Sequence, residues 1–163
     1  MMAVPGYSKL QIRLHWAVVI LVALQYLLKD GIVASFRKKV DTGVVDFTGL
    51  TVAHIAGGLL ILLLALWRLS LRRSVGAPLP PQTDPAWQKL LSKGTHVAIY
   101  TCLLALPLTG FIAWAGPVPV FGGIHGLLRL ALLGLVLLHI LAALYGQFIQ
   151  RTGILKRMMK PAA

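Results

Sequence analysis

The chain has 163 residues, of which 58% are hydrophobic, and a mean hydropathy of +0.81, which excludes an ordinary water-soluble domain of this size. Sixteen Lys and Arg face only four acidic residues, for a formal charge of +12; with so apolar a chain, that excess is not read as a nucleic-acid surface, and no nucleic-acid partner is expected. One cysteine, Cys102, excludes an intrachain disulfide, a cysteine-based zinc site and covalent haem attachment through C-x-x-C-H.

The first apolar stretch runs from about Leu14 to Leu28 and on toward Phe36, so the first span is set at about 14–36. It has no convincing small-residue cleavage site and reads as a retained span rather than a signal peptide. Residues 29–49 follow as a connection with Lys29, Arg37, Lys38 and Lys39 against Asp30, Asp41 and Asp46. The second span covers about 50–69. The next connection contains the irregular "GAPLPPQTDP" and then "AWQKLLSKG", an amphipathic lead-in to the third span at about 96–115. The short uncharged loop "GPVPVFGG" leads to the fourth span at about 124–149. Each stretch can cross a hydrocarbon core roughly 30 Å thick, which takes about 20 helical residues. Lipid offers backbone groups no water to bond, so the spans must be helices. The expected fold is all-α: a single transmembrane domain, an integral membrane four-helix bundle among lipids.

Basic residues set its orientation. Eleven fall on the side that holds the N-terminal arm, the connection between the second and third spans, and the C-terminal tail. Four fall in the first connection, opposed by three Asp. The positive-inside rule then makes both termini cytoplasmic.

The five histidines are His15, His54, His96, His125 and His139, and every span has at least one. A polar residue within a membrane helix is costly and usually functional. The helix directions place His54 and His125 in an outer layer and His15, His96 and His139 in an inner one. His125 and His139 are fourteen residues apart on one helix, about 21 Å along its axis and on nearly the same side. Each layer can supply two imidazoles from different helices, which is what haem iron takes as axial ligands. Depth gives the outer pair but does not choose among three inner histidines. Small residues near the histidines (Ala53, Gly57, Gly58, Gly122, Gly123, Gly126, Ala142 and Ala143) leave room beside a ligand, or simply let helices approach. A non-haem metal-binding membrane protein is the lesser alternative, because bare zinc or copper wants three or four clustered ligands.

"IRLHW", "AHIAGG", "THVAIY" with "LPLTG", "IHG" with "LH" fourteen residues on, and the terminal "GILKRMM" resemble the prokaryotic cytochrome b561 family over nearly the whole chain. The resemblance implies a four-helix bundle in the bacterial inner membrane with two non-covalent haem b groups. His15 would pair with His139, and His54 with His125, leaving His96 spare. It also implies electron transfer linked to quinone, with ubiquinone as a candidate acceptor and superoxide as a candidate donor in one branch. Related cytochromes serve instead as subunits that relay electrons to or from a partner dehydrogenase or hydrogenase. In the superoxide-oxidising pattern a histidine stands seven residues past the last ligand; here that position is Gly146, in "LYGQF".

Arg129 is the one charge in the core of the fourth span, four residues past His125. A haem propionate is its first expected partner, a quinone or superoxide site near the outer haem its second, and snorkelling or a backbone contact the remaining reading. Lys9 and Arg13 could serve inner propionates. Lys29 and Arg37 to Lys39 form a positive patch that could steer an anion or simply be solvated. Trp16 and Trp114 fit interfacial belts, and Pro107 with Gly110 should bend the third span.

Overall fold

Ser8 starts the first helix. In this computed structural model, which describes residues 6–116 and 118–161, α1 (Lys9–Leu27) opens with a capping box. The Gln11 backbone N–H donates to Ser8 Oγ at 3.2 Å, and the Ser8 N–H donates to Gln11 Oε1 at 2.9 Å, so two donors with no intrahelical partner are satisfied. The helix stops at Leu27, and α2 (Lys29–Thr42) starts after Leu28. The stretch toward Phe36 is therefore a separate helix rather than a continuation of the span. Its Lys29, Asp30, Arg37, Lys38 and Lys39 would be costly in hydrocarbon. Asp30 sits in the first turn of α2, where a negative charge opposes the helix dipole. A hydrogen bond from Lys29 holds its carboxyl below the usual carboxylate range. Gly43, at φ 72°, takes the left-handed conformation that ends α2 and donates to Lys39 O.

Thr48 caps α3 (Gly49–Ser74), accepting from the Thr51 N–H, and Arg72 and Arg73 occupy its last turn. α4 (Ala86–Ala115) takes the expected lead-in and the third span into one helix, with Pro107 inside it. α5 (Pro119–Leu144) begins with proline at the first position, where no backbone donor is missed. It runs into a π-helical turn at Tyr145–Ile149, and a short 3-10 turn follows at Lys156–Met158. Pro117, in the last connection, lies outside the described residues.

α1, α3, α4 and α5 are each long and apolar enough to span a membrane. α4 packs closely on α5, α3 on α4, and α1 on α3, while α2 lies against α3. A buried core of Val18, Ile61, Ala65, Cys102, Leu103 and Leu132 takes residues from all four long helices. Outward faces carry Ile20, Leu59, Leu63, Leu127 and Leu141, all exposed. Such all-round apolarity suits acyl chains rather than water. The fold is the integral membrane four-helix bundle that the sequence indicates.

Four spans bring the two chain ends to one end of the bundle. There the tail is tied to three other segments. Trp16 Nε1 donates to Met158 O at 2.9 Å, Gln88 and Gln150 exchange amide hydrogen bonds at 2.8 and 2.9 Å, and Arg157 donates to Leu79 O. The opposite end is covered by α2. Ser35 and Thr51 share a buried hydroxyl hydrogen bond at 2.7 Å, and Lys39 donates to Trp114 O with its ammonium 5.0 Å from the indole centroid.

Candidate functional site

All five histidines lie on the four long helices: His15 on α1, His54 on α3, His96 on α4, and His125 and His139 on α5. α5 is the shared element. Its two imidazoles meet partners from different helices at different levels. The His54 and His125 ring centroids are 6.4 Å apart with planes inclined at 63°. The His15 and His139 centroids are also 6.4 Å apart, inclined at 64°. Leu132, seven residues from each α5 histidine, belongs to the apolar core, so the two levels are separated by packed hydrocarbon.

That shared separation has a chemical meaning. Metal–imidazole bonds are roughly 2.0 Å, and a ring nitrogen lies about 1.1 Å from its own centroid, so two imidazoles on opposite sides of one metal have centroids about 6.2 Å apart. Both centroid separations are close to that value. The helix backbones leave space as well: neither α1 nor α3 packs closely on α5, although each presents a histidine to it. A Cβ added at Gly58, Gly123 or Gly126 would meet nothing within 4 Å, so close helix approach does not account for these glycines. Gly57 and Gly122 do touch neighbours, the Gln25 amide and the Phe36 ring. Among the described residues, no three His, Cys, Asp or Glu side chains converge as a bare-metal cluster would require.

His96 reaches the level of His15 and His139 but stands differently. Its ring centroid is 5.1 Å from that of His139, edge-on at 86°, and its Nδ1 bonds Ser92 O at 2.7 Å. That separation is too short for two imidazoles on opposite sides of one metal.

His125 has the best-defined surroundings. Its Nδ1 donates to Leu106 O at 2.9 Å, with Thr109 Oγ1 3.4 Å away. A carbonyl only accepts, so Nδ1 carries the proton and Nε2 keeps its lone pair. Gly110 makes the approach possible, since a Cβ there would stand 3.2 Å from His125 Cε1 and Nδ1. The "LPLTG" stretch is thus the seat of His125, a role that a bend alone did not reveal. Nothing in the sequence ties the Thr and Gly that follow Pro107 to a histidine on the next helix.

Arg129 is half-buried, one turn past His125, and its backbone carbonyl accepts from Tyr26 Oη at 2.5 Å. Among the described residues the ion pairs are Lys29–Asp30 and Lys38–Asp46, so Arg129 has no acidic partner there. Arg68 was legible only as a charge at a helix end. Its guanidinium stands 5.8 Å from the Tyr100 ring centroid, on the side of the bundle that holds His15, His96 and His139. Gly146 is buried in the π turn, where its carbonyl accepts from the Thr152 N–H and hydroxyl, each at 2.9 Å. A Cβ there would meet Ile154 Cγ2 at 3.1 Å and Thr152 Oγ1 at 3.4 Å.

Comparison with known proteins adds a further finding. The family model described as prokaryotic cytochrome b561 matches residues 6–161. Cytochrome b562 of Cereibacter sphaeroides is 32% identical over 161 residues, covering 96% of this chain and 97% of that protein. Cytochrome b561 homolog 1 of Escherichia coli K12 is 28% identical over 174 residues, covering 94% of this chain and 96% of that protein.

Proposed function

Because the chain belongs to the prokaryotic cytochrome b561 family of haem-bearing membrane electron carriers, we propose that it is a single-domain di-haem relay serving the quinone pool of the bacterial inner membrane. One haem b would be held by His54 and His125, the other by His15 and His139. The observation that carries this reading is the pair of equal 6.4 Å centroid separations, each spanning two helices that do not pack closely.

Bound haem supplies a one-electron iron couple. The protein supplies the rest. Two imidazoles per iron would leave no open coordination position, which would suit outer-sphere transfer rather than oxygen activation. The Leu106 carbonyl fixes the His125 tautomer and strengthens its donor nitrogen. The apolar core around Leu132 keeps water from between the two levels. Arg129 gives the His54–His125 level a cation suited to a propionate, and Arg68 gives one to the other level. With eleven basic residues on the side of the chain ends, that end is cytoplasmic.

The donor and acceptor are proposed by class: a quinone such as ubiquinone on one side, and a redox protein or small reductant on the other. Relay to or from a partner subunit draws support from Gly146. The glycine lacks the imidazole that the superoxide-oxidising pattern carries there, and a side chain would fit only if Ile154 and Thr152 gave way. Superoxide oxidation is therefore the reading to test second.

The purified protein should show a b-type reduced-minus-oxidised spectrum with two haems per chain and no reaction with carbon monoxide. His54→Ala and His125→Ala should each remove one haem, and His15→Ala and His139→Ala the other, whereas His96→Ala should keep both. Unchanged iron content in the first four variants would refute the assignment.

A further inference from the structure

The two imidazoles of the His54–His125 pair are held unequally. His125 Nδ1 has the Leu106 carbonyl. His54 Nδ1 is buried with no hydrogen-bond partner, and so is Gln25 Oε1 on the neighbouring α1. A buried ring nitrogen and a buried amide oxygen, both unpaired, stand in the same region. Gln25 Nε2 donates to the backbone carbonyl of His54 at 3.1 Å. A carbonyl only accepts, so the amide nitrogen must face it and the amide oxygen is turned away. The amide lies against Gly57, where any Cβ would overlap Gln25 Nε2. A cavity of about 120 Å³ opens beside the amide, lined by Leu21, Leu24, Ala53 and Gly57 together with Gln25 and His54. That volume admits either a small rotation of the amide or one ordered water with polar partners.

We propose that Gln25 is the positioning residue for His54, its Oε1 accepting the Nδ1–H directly or through one water in this cavity. His54 then has the same tautomer as His125, with Nε2 free to face the centre of the pair. The helix that carries no ligand for this level would set its ligand strength, as the α4 carbonyl does for His125. Gly57, lacking a Cβ, gives the amide its seat. The proposal rests on the reading that this pair holds a haem.

A hydrogen bond from Nδ1–H makes an imidazole a stronger donor and favours the oxidised, more positive iron. The test is redox titration of the full-length holoprotein, comparing wild type with Gln25→Leu and Gln25→Glu. The haem at this level is identified as the one lost in His125→Ala. Gln25→Leu should raise its midpoint potential and Gln25→Glu, titrated above the carboxyl's pKa, should lower it. The other haem should shift much less, and the low-spin EPR signal of the affected haem should move with its potential. Shifts of the same sign in both variants, or none, would overturn the proposal. If Gln25→Leu loses the haem, the sign in Gln25→Glu together with the EPR shift decides. A wild-type protein without a second haem would instead overturn the bis-histidine reading beneath it.

Discussion

Gly110 is the residue on which the seating of His125 depends most directly. Its missing side chain lets the imidazole lie against α4, and a methyl group there would stand 3.2 Å from two ring atoms. Well-packed sites lose about 1–3 kcal/mol on overpacking when neighbours cannot yield. This neighbour is tethered through Nδ1 to Leu106 O, so it yields poorly. Gly110→Ala should lower haem occupancy from two toward one per chain while sparing the haem at the His15–His139 level. Haem quantitation against protein checks this, and full retention with an unaltered spectrum would show that His125 can move. His96 illustrates the limit of single-residue reading. Depth groups it with His15 and His139, yet its ring lies edge-on to His139 and its Nδ1 is engaged by Ser92 O.

α2 is the element that hydropathy places least well, because its apolar residues continue the first span while its charges oppose insertion. Its docking on α3 rests on Ser35 and Thr51, which are 4% and 0% exposed and hydrogen-bonded to each other at 2.7 Å. Thr51 Oγ1 also lies 2.9 Å from the Thr48 hydroxyl at the helix cap. Thr51→Val keeps the shape but leaves buried hydroxyls short of a partner, at a cost of about 1–3 kcal/mol. Thermal unfolding in detergent should register the loss, and Ser35→Ala combined with Thr51→Val should recover part of it. A double variant no better than the single one would mean that the hydroxyls contribute independently. At the other end, the π turn of Tyr145–Ile149 turns the Gly146 carbonyl to Thr152 and directs the tail across the bundle. π turns within helices often mark functional positions; here the turn starts a strap anchored to Trp16, Gln88 and Leu79.

Across the whole molecule, charge and histidine depth divide the bundle into two unlike ends. The end with both chain termini carries most of the basic residues, and the α2 end carries three of the four acidic ones. A C-terminal reporter that folds only in the cytoplasm should therefore be active, and one that matures only outside should be silent. The reverse result would invert the assignment of levels to membrane faces. Fourteen residues of one helix set His125 and His139 about 21 Å apart along its axis, so α5 would be the ruler for an electron path between the two proposed haems. A reductant that cannot cross the membrane should, in sealed vesicles, reduce the haem on its own side first.

Much of this was legible in the sequence because a bilayer is a severe solvent. It demands long apolar helices, confines basic charge to one side, and leaves a histidine few roles, so the four spans and the two levels follow from hydropathy and the helical repeat. The break at Leu28, the seat of His125 in "LPLTG", the nearness of Arg68 to the His15–His139 level and the closed surroundings of Gly146 were not legible. Each depends on which neighbouring helix presents what atom at a few ångströms, and side-chain periodicity along one helix carries no information about that. Helix direction and depth are one-dimensional quantities that a chain can encode locally. The unlike placements of His15 and His96 about His139, at 6.4 and 5.1 Å, belong to the packing of separate helices in three dimensions.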